Sequence, residues 1–342
     1  MAQKITFSSG SAFAGNPITF EVVADNVSGN VSFHIVYLEV TIAPSSGPDI
    51  SEKTYLLTNT VDSDLKAYFD ISSVARLALS RSIFNPIDSG SCSSPYAAYR
   101  VRAWDEYMKD GILHQNVGMV TIVKNWYGLL GEFTNMERSG NQTLAVSRLT
   151  DKPASGEICG SNEVYVSPFP LSTPLTPMQP PSAEPSSKAH SLSGHNGEYV
   201  EIDGRSIYVI DNKDLVQIQF LNRFGMIESV SAHRLLSESV ESYVSTYKAS
   251  SGIGFGDAPI TKAIHSDKKN ILTCTTGYIN REWADWWQNN LFAPSNFKEC
   301  IRSNTQWVKI GNDWVPCAIT MNECNYESNE LVSIDFLITH NK

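Results

Sequence analysis

The sequence predicts a mainly β protein, two antiparallel sandwich-like domains with short helices, joined through a Pro/Ser-rich linker or arm. Three observations carry this expectation. Apolar and polar residues alternate with period two in both halves, a proline-dense stretch lies between them, and 342 residues exceed the usual size of a single core. The expected boundaries are residues 1–150, 151–197 and 198–342.

In the first half "NPITFEVVA" sets Ile18, Phe20 and Val22 on one face and Thr19 and Glu21 on the other. "VSFHIVYLEVTI" and "YRVRAWDEYM" continue with the β-branched and aromatic residues that suit a pleated, half-buried surface. "DNVSGN", "APSSGPD" and "NPIDSGSCSSP" separate these runs with turn-forming residues. "DISSVARLALS" breaks the pattern. A short helix near 73–81 is predicted there, capped by Ser72 or Ser73 and turning Val74, Leu77 and Ala78 to one side.

Residues 167–197, "SPFPLSTPLTPMQPPSAEPSSKAHSLSGHNG", hold seven prolines in the first nineteen positions. Proline fixes φ and has no amide proton, so the run is expected outside any sheet ladder or helix, as a polyproline-like connection. Two roles stay open for it: a passive spacer, or an arm lying along a neighbouring subunit.

In the second half "DLVQIQFLN" sets Val216, Ile218 and Phe220 against Gln217 and Gln219, and "ELVSIDFLI" repeats the pattern with Val332, Ile334, Phe336 and Ile338; both read as half-buried strands. "REWADWWQNNLF" predicts a helix near 281–292, capped by Asn280 and stopped by Pro294, with Trp283, Trp286, Trp287 and Leu291 on one stripe. "SDKKN" at 266–270 reads as a solvated hairpin tip, and "SSGIGFGDAP" at 250–259 as a flexible loop between strands. Its three glycines are no dinucleotide fingerprint, because Pro259 and no helix follow them.

A net charge of -10 argues against a protein that works by neutralising nucleic-acid phosphates. The N-terminus lacks an apolar signal segment and no run of eighteen apolar residues occurs, so a soluble chain made in the cytoplasm and without a membrane partner is expected. Cys92, Cys159, Cys274, Cys300, Cys317 and Cys324 form no CxxC pair and read as reduced, mostly buried thiols. No nucleophile elbow, zinc motif or Walker loop is present. His190 and His195 bracket a polar stretch without a rigid frame for a metal, and the pairs Asp62/Asp64 and Glu238/Glu241 are ordinary in an acidic chain. No catalytic, cofactor-binding or metal-binding residue is therefore assigned, and no enzymatic activity is expected.

Three segments together carry a resemblance: "FAGNPITFEV" followed by "AYFDISSVARLAL", then "LVQIQFLNRFGMIESVSA", then the terminal run from "CTTGYINREWADWW" to "LVSIDFLI". In this order the chain resembles structural proteins (tail, neck or baseplate) of tailed bacteriophages and prophages of Bacteroides-like hosts. The resemblance implies a non-enzymatic virion subunit in the tail or neck, a homo-oligomeric ring or hub around the DNA channel. Its partners would be itself and other tail or neck proteins, with passive contact to packaged DNA. The chain departs from the pattern in the Pro/Ser stretch and in tryptophans where simpler relatives carry an aliphatic helix. The alternatives are a carbohydrate-binding or adhesive β-sandwich protein stacking sugars on Trp283, Trp286, Trp287 and Trp307 or Trp314, and a glycan-active enzyme with carboxylates from separate strands.

Overall fold

The computed structural model describes residues 4–10, 13–45, 51–129, 149–169, 185–249, 260–292, 301, 304–326 and 331–341. The chain is mainly β. Its first half runs β1 (Lys4–Gly10), β2 (Ile18–Val23), β3 (Val31–Pro44), β4 (Lys53–Thr60), β5 (Lys66–Asp70), helix α1 (Ser72–Leu79), β6 (Ser91–Ser93), β7 (Tyr96–Lys109) and β8 (Ile112–Leu129). One sheet has the order β1-β2-β5 and a second the order β4-β3-β7-β8. Alternation makes the shared core: Ile18, Phe20 and Val22 of β2 meet Val36, Leu38, Val40 and Ile42 of β3 and Tyr99 and Val101 of β7 in one buried cluster. Burying each such side chain contributes about 2 kcal/mol.

Helix α1 departs from the expected orientation. Asp70, not Ser72 or Ser73, supplies the acceptor at its start, taking N–H bonds from Ser72 at 2.9 Å and Ile18 at 3.0 Å. Ile71 enters the helix fully buried, so the inward face is Ile71, Val74, Ala75 and Leu79, and Leu77 is exposed. The chain's exit from β5 sets this phase, which the local pattern does not contain.

The middle of the chain adds β9 (Glu157–Gly160), β10 (Val164–Pro168), β11 (Ser186–Ser191), β12 (Glu198–Ile202) and β13 (Arg205–Ile210). The expectation of chain outside any ladder over 167–197 is corrected at its ends, because β10 and β11 pair antiparallel from Val164↔Ser191 to Pro168↔Ser187 and β11 also pairs with β6. Pro168 is tolerated as the last residue of an edge strand. Five of the seven prolines fall in 170–184, outside the described residues. Cys159, Tyr165, Leu192, Ile202, Ile207 and Val209 form a small buried cluster of their own. The hairpins β7–β8 and β12–β13 turn on Asp110-Gly111 and Asp203-Gly204, both residues of each pair with positive φ, the two-residue turn that matches strand twist.

The second half comprises β14 (Leu215–Leu221), β15 (Ile227–Ala249), β16 (Ile260–Thr275), β17 (Ile279–Asn280), helix α2 (Arg281–Trp286) continued by a π-helical segment Trp287–Phe292, β18 (Gln306–Ile310), β19 (Asp313–Tyr326) and β20 (Leu331–His340). A second sandwich is expected here, whereas the sheet β16-β15-β14-β18-β19-β20 closes on itself through β16–β20 into a six-stranded barrel, with β17 added to β20. Strand β20 alternates as read. Strand β14 does not: Gln217 and Gln219 are buried along with Ile218 and Phe220, because their face meets the rest of the chain. "SDKKN" is no tip but lies within β16, where Asp267 pairs with Tyr243 and Lys268 with Ser242.

Asn280 caps α2 as expected, its Oδ1 accepting from the Trp283 N–H at 2.9 Å. Trp286 packs edge-on against Phe220 at a centroid distance of 5.7 Å, and Trp287 packs tilted against Phe336 at 5.5 Å. Residues 293–300, with Pro294 and Cys300, lie outside the described residues, as does the 250–259 loop.

Candidate functional site

Four of the tryptophans that the glycan-binding alternative would use as sugar platforms are core residues, in keeping with a helix docked on a sheet. Trp283, Trp286, Trp287 and Trp307 are each 2–4 % exposed, and the Trp283 Nε1–H donates to the Ser155 carbonyl at 2.7 Å, so none offers an open ring face. Trp314 is half-buried, with Lys309 over its ring and its Nε1–H donating to Asp88 at 2.8 Å.

Among the described residues, several groups of reactive type are held in local contacts. Ser167, Asp203 and His190 come together, yet the Ser167 hydroxyl donates to Asp203 at 2.6 Å and His190 lies 3.3 Å from the same oxygen. Nucleophile activation needs the imidazole between hydroxyl and carboxylate; here the carboxylate is in the middle. Burial lowers the His190 pKa against the pull of Asp203. His195, the other histidine of this stretch, pairs instead with exposed Glu198 at 3.3 Å. The thiols of Cys274 and Cys317 are pushed up to about 12 by burial, so neither is a thiolate at neutral pH. Asp62 spends its carboxylate on the backbone N–H groups of Asp64 and Lys66. The side chain of Glu238 lies outside the described residues, as that of Glu241 does not. Among the described residues no group of three or more His, Cys, Asp or Glu is placed to hold a metal ion, and no helix is long and apolar enough to cross a membrane.

A buried charge cluster, drawn from four segments, has no signature in the sequence. Lys152 bonds Glu157 and the Ser229 carbonyl, and its ammonium lies 4.6 Å from the Tyr165 ring centroid. Glu157 also accepts from the Tyr165 hydroxyl at 3.1 Å, and Arg205 donates to Thr150 at 3.1 Å. Glu228 is 1 % exposed; burial raises its pKa although Lys152 and Arg205 act against that shift. The cluster holds the middle of the chain against β15.

Two features face outward. A polar groove of about 420 Å³ is lined by Glu163, Gln217, Lys213, Arg234, Lys309 and Asn312, among others. Burial raises the Glu163 pKa, while the Ser231 hydroxyl and the Gly160 N–H donate to its carboxylate. The second feature is a ribbon. Strands β15 and β16 remain paired from Glu241↔Lys269 to Ala249↔Ile260, whereas β14 pairs with β15 only over 227–233 and β20 with β16 only over 270–275. These nine residue pairs run on for roughly 26 Å at the usual rise per residue, with no third strand among the described residues.

No family model, curated protein or solved structure matches this chain.

Proposed function

We propose that the chain is a non-enzymatic structural subunit that assembles with copies of itself, as a ring or hub around a channel. The single observation that carries the assembly reading is the β15–β16 ribbon. Two strands without a third, or without a packing partner, are marginal in water, and an open strand edge is a template for another chain. A neighbouring subunit satisfies both. The first half is read as a sandwich module and the barrel as a second module rigid enough to carry the ribbon. Placement in the tail or neck of a tailed bacteriophage rests on the three resembling segments alone, with other tail or neck proteins as further partners and packaged DNA passing through the channel.

Mass photometry of the full chain over a concentration series, with negative-stain imaging, tests the assembly reading. Closed particles of fixed copy number are expected, and a monomer at every concentration overturns it. Gold labelling of particles from the producing host tests the virion placement; absence of the protein from purified particles overturns that part alone.

A second reading, glycan binding, is supported by the polar groove at Glu163 and Gln217 and no longer by the tryptophans. Binding to a glycan array, lost in Gln217→Ala, would favour it.

A further inference from the structure

The ribbon and one edge of the chain's middle sheet have complementary chemistry. Residues 241–269 contain Lys248, Lys262, Lys268 and Lys269 against Glu241, Asp257 and Asp267, a net charge of +1, so the remainder of the -10 chain carries -11. Strand β12 is an edge strand, hydrogen-bonded to β13 on one side only among the described residues. It carries Glu198, Tyr199 and Glu201, all exposed, Tyr199 to 71 %. Tyr199 leans on Tyr208 of β13 at a centroid distance of 4.9 Å, which leaves a broad aromatic surface on the same face as the Glu201 carboxylate, while Glu198, paired with His195, alternates to the other face.

Resting on the assembly reading, we propose that the ribbon of one copy docks against the open β12 edge of a second copy. Added strands take up main-chain hydrogen bonds at such an edge, the ribbon's lysines meet Glu198 and Glu201, and Tyr199 supplies buried apolar area of the kind that anchors interfaces. The contact joins two different surfaces, so it is head-to-tail and closes into a ring when the rotation between copies allows. Opposite charges at its rim make assembly weaker in high salt.

The test is a charge exchange in the full chain. One variant carries Lys248→Glu and Lys262→Glu, a second Glu198→Lys and Glu201→Lys, and a third all four changes; circular dichroism and thermal melting check that each is folded. Each double variant is expected to raise the concentration needed for assembly by about tenfold or more, and the fourfold variant to recover most of that loss. Zero-length carbodiimide coupling in mixtures of ¹⁴N- and ¹⁵N-labelled protein should give mixed-isotope peptides joining the ribbon to residues 198–201. Closed oligomers that ignore the charge changes and couple elsewhere overturn this inference while leaving the assembly reading intact. A monomer under all conditions overturns both. Duplex-DNA binding that Lys248→Glu and Lys262→Glu abolish, with assembly unchanged, assigns the ribbon to nucleic acid and likewise overturns the docking.

Discussion

Gln219 grips the backbone of Ile87 with both ends of its carboxamide, the Ile87 N–H donating to Oε1 at 2.7 Å and Nε2 donating to the Ile87 carbonyl at 2.8 Å. The two residues are 132 positions apart, and Gln219 is fully buried. A side chain read as facing solvent is thus a clamp between the first half of the chain and the barrel.

Gln219→Leu should therefore destabilise more than its conservative volume suggests. It leaves a buried donor and a buried acceptor of Ile87 without partners, at a cost of about 2 to 4 kcal/mol together. Urea unfolding is the measurement; a change under 1 kcal/mol would mean that water or a neighbouring group replaces the amide.

Glu228→Gln should stabilise the fold increasingly as pH rises. Burial raises the folded pKa of Glu228 above the usual 4.5, so the folded state binds the proton more tightly than the unfolded chain. Stability then falls as pH climbs from the unfolded value through the folded one. The difference in Tm between wild type and variant should be small near pH 4.5 and larger at pH 8; a constant difference would contradict this origin.

Trp286→Ala should cost about 3 to 5 kcal/mol, because the ring is packed between Trp283, Trp287 and Phe220. A variant that melts like wild type but loses a bound sugar would restore the binding role of this stripe.

Deleting residues 168–190 should destabilise the protein instead of removing an inert spacer. The deletion takes most of β11, with its pairing to both β10 and β6, the buried Ser187 and the Ala189 methyl that packs on the first core. Thermal melting of the deletion variant checks this; an unchanged Tm would show that the strand contributes only locally.

The sequence by itself determined what short-range chemistry controls. Period-two alternation in β2 and β20 named their buried faces, since successive strand side chains point to opposite sides, and Asn280 could be read as a cap because it serves an N–H only three residues on. Tertiary structure decided whatever depends on distant chain. Gln217 and Gln219 are buried because their face meets Val164 and Ile87, α1 is turned so that Ile71, Val74, Ala75 and Leu79 join the first core, and Lys152, Glu157, Arg205 and Glu228 converge from segments with no common period. Closure of the barrel and the overrun of β15 and β16 belong to the same class, since strand patterns record which side chains are apolar but not which strand stops pairing first.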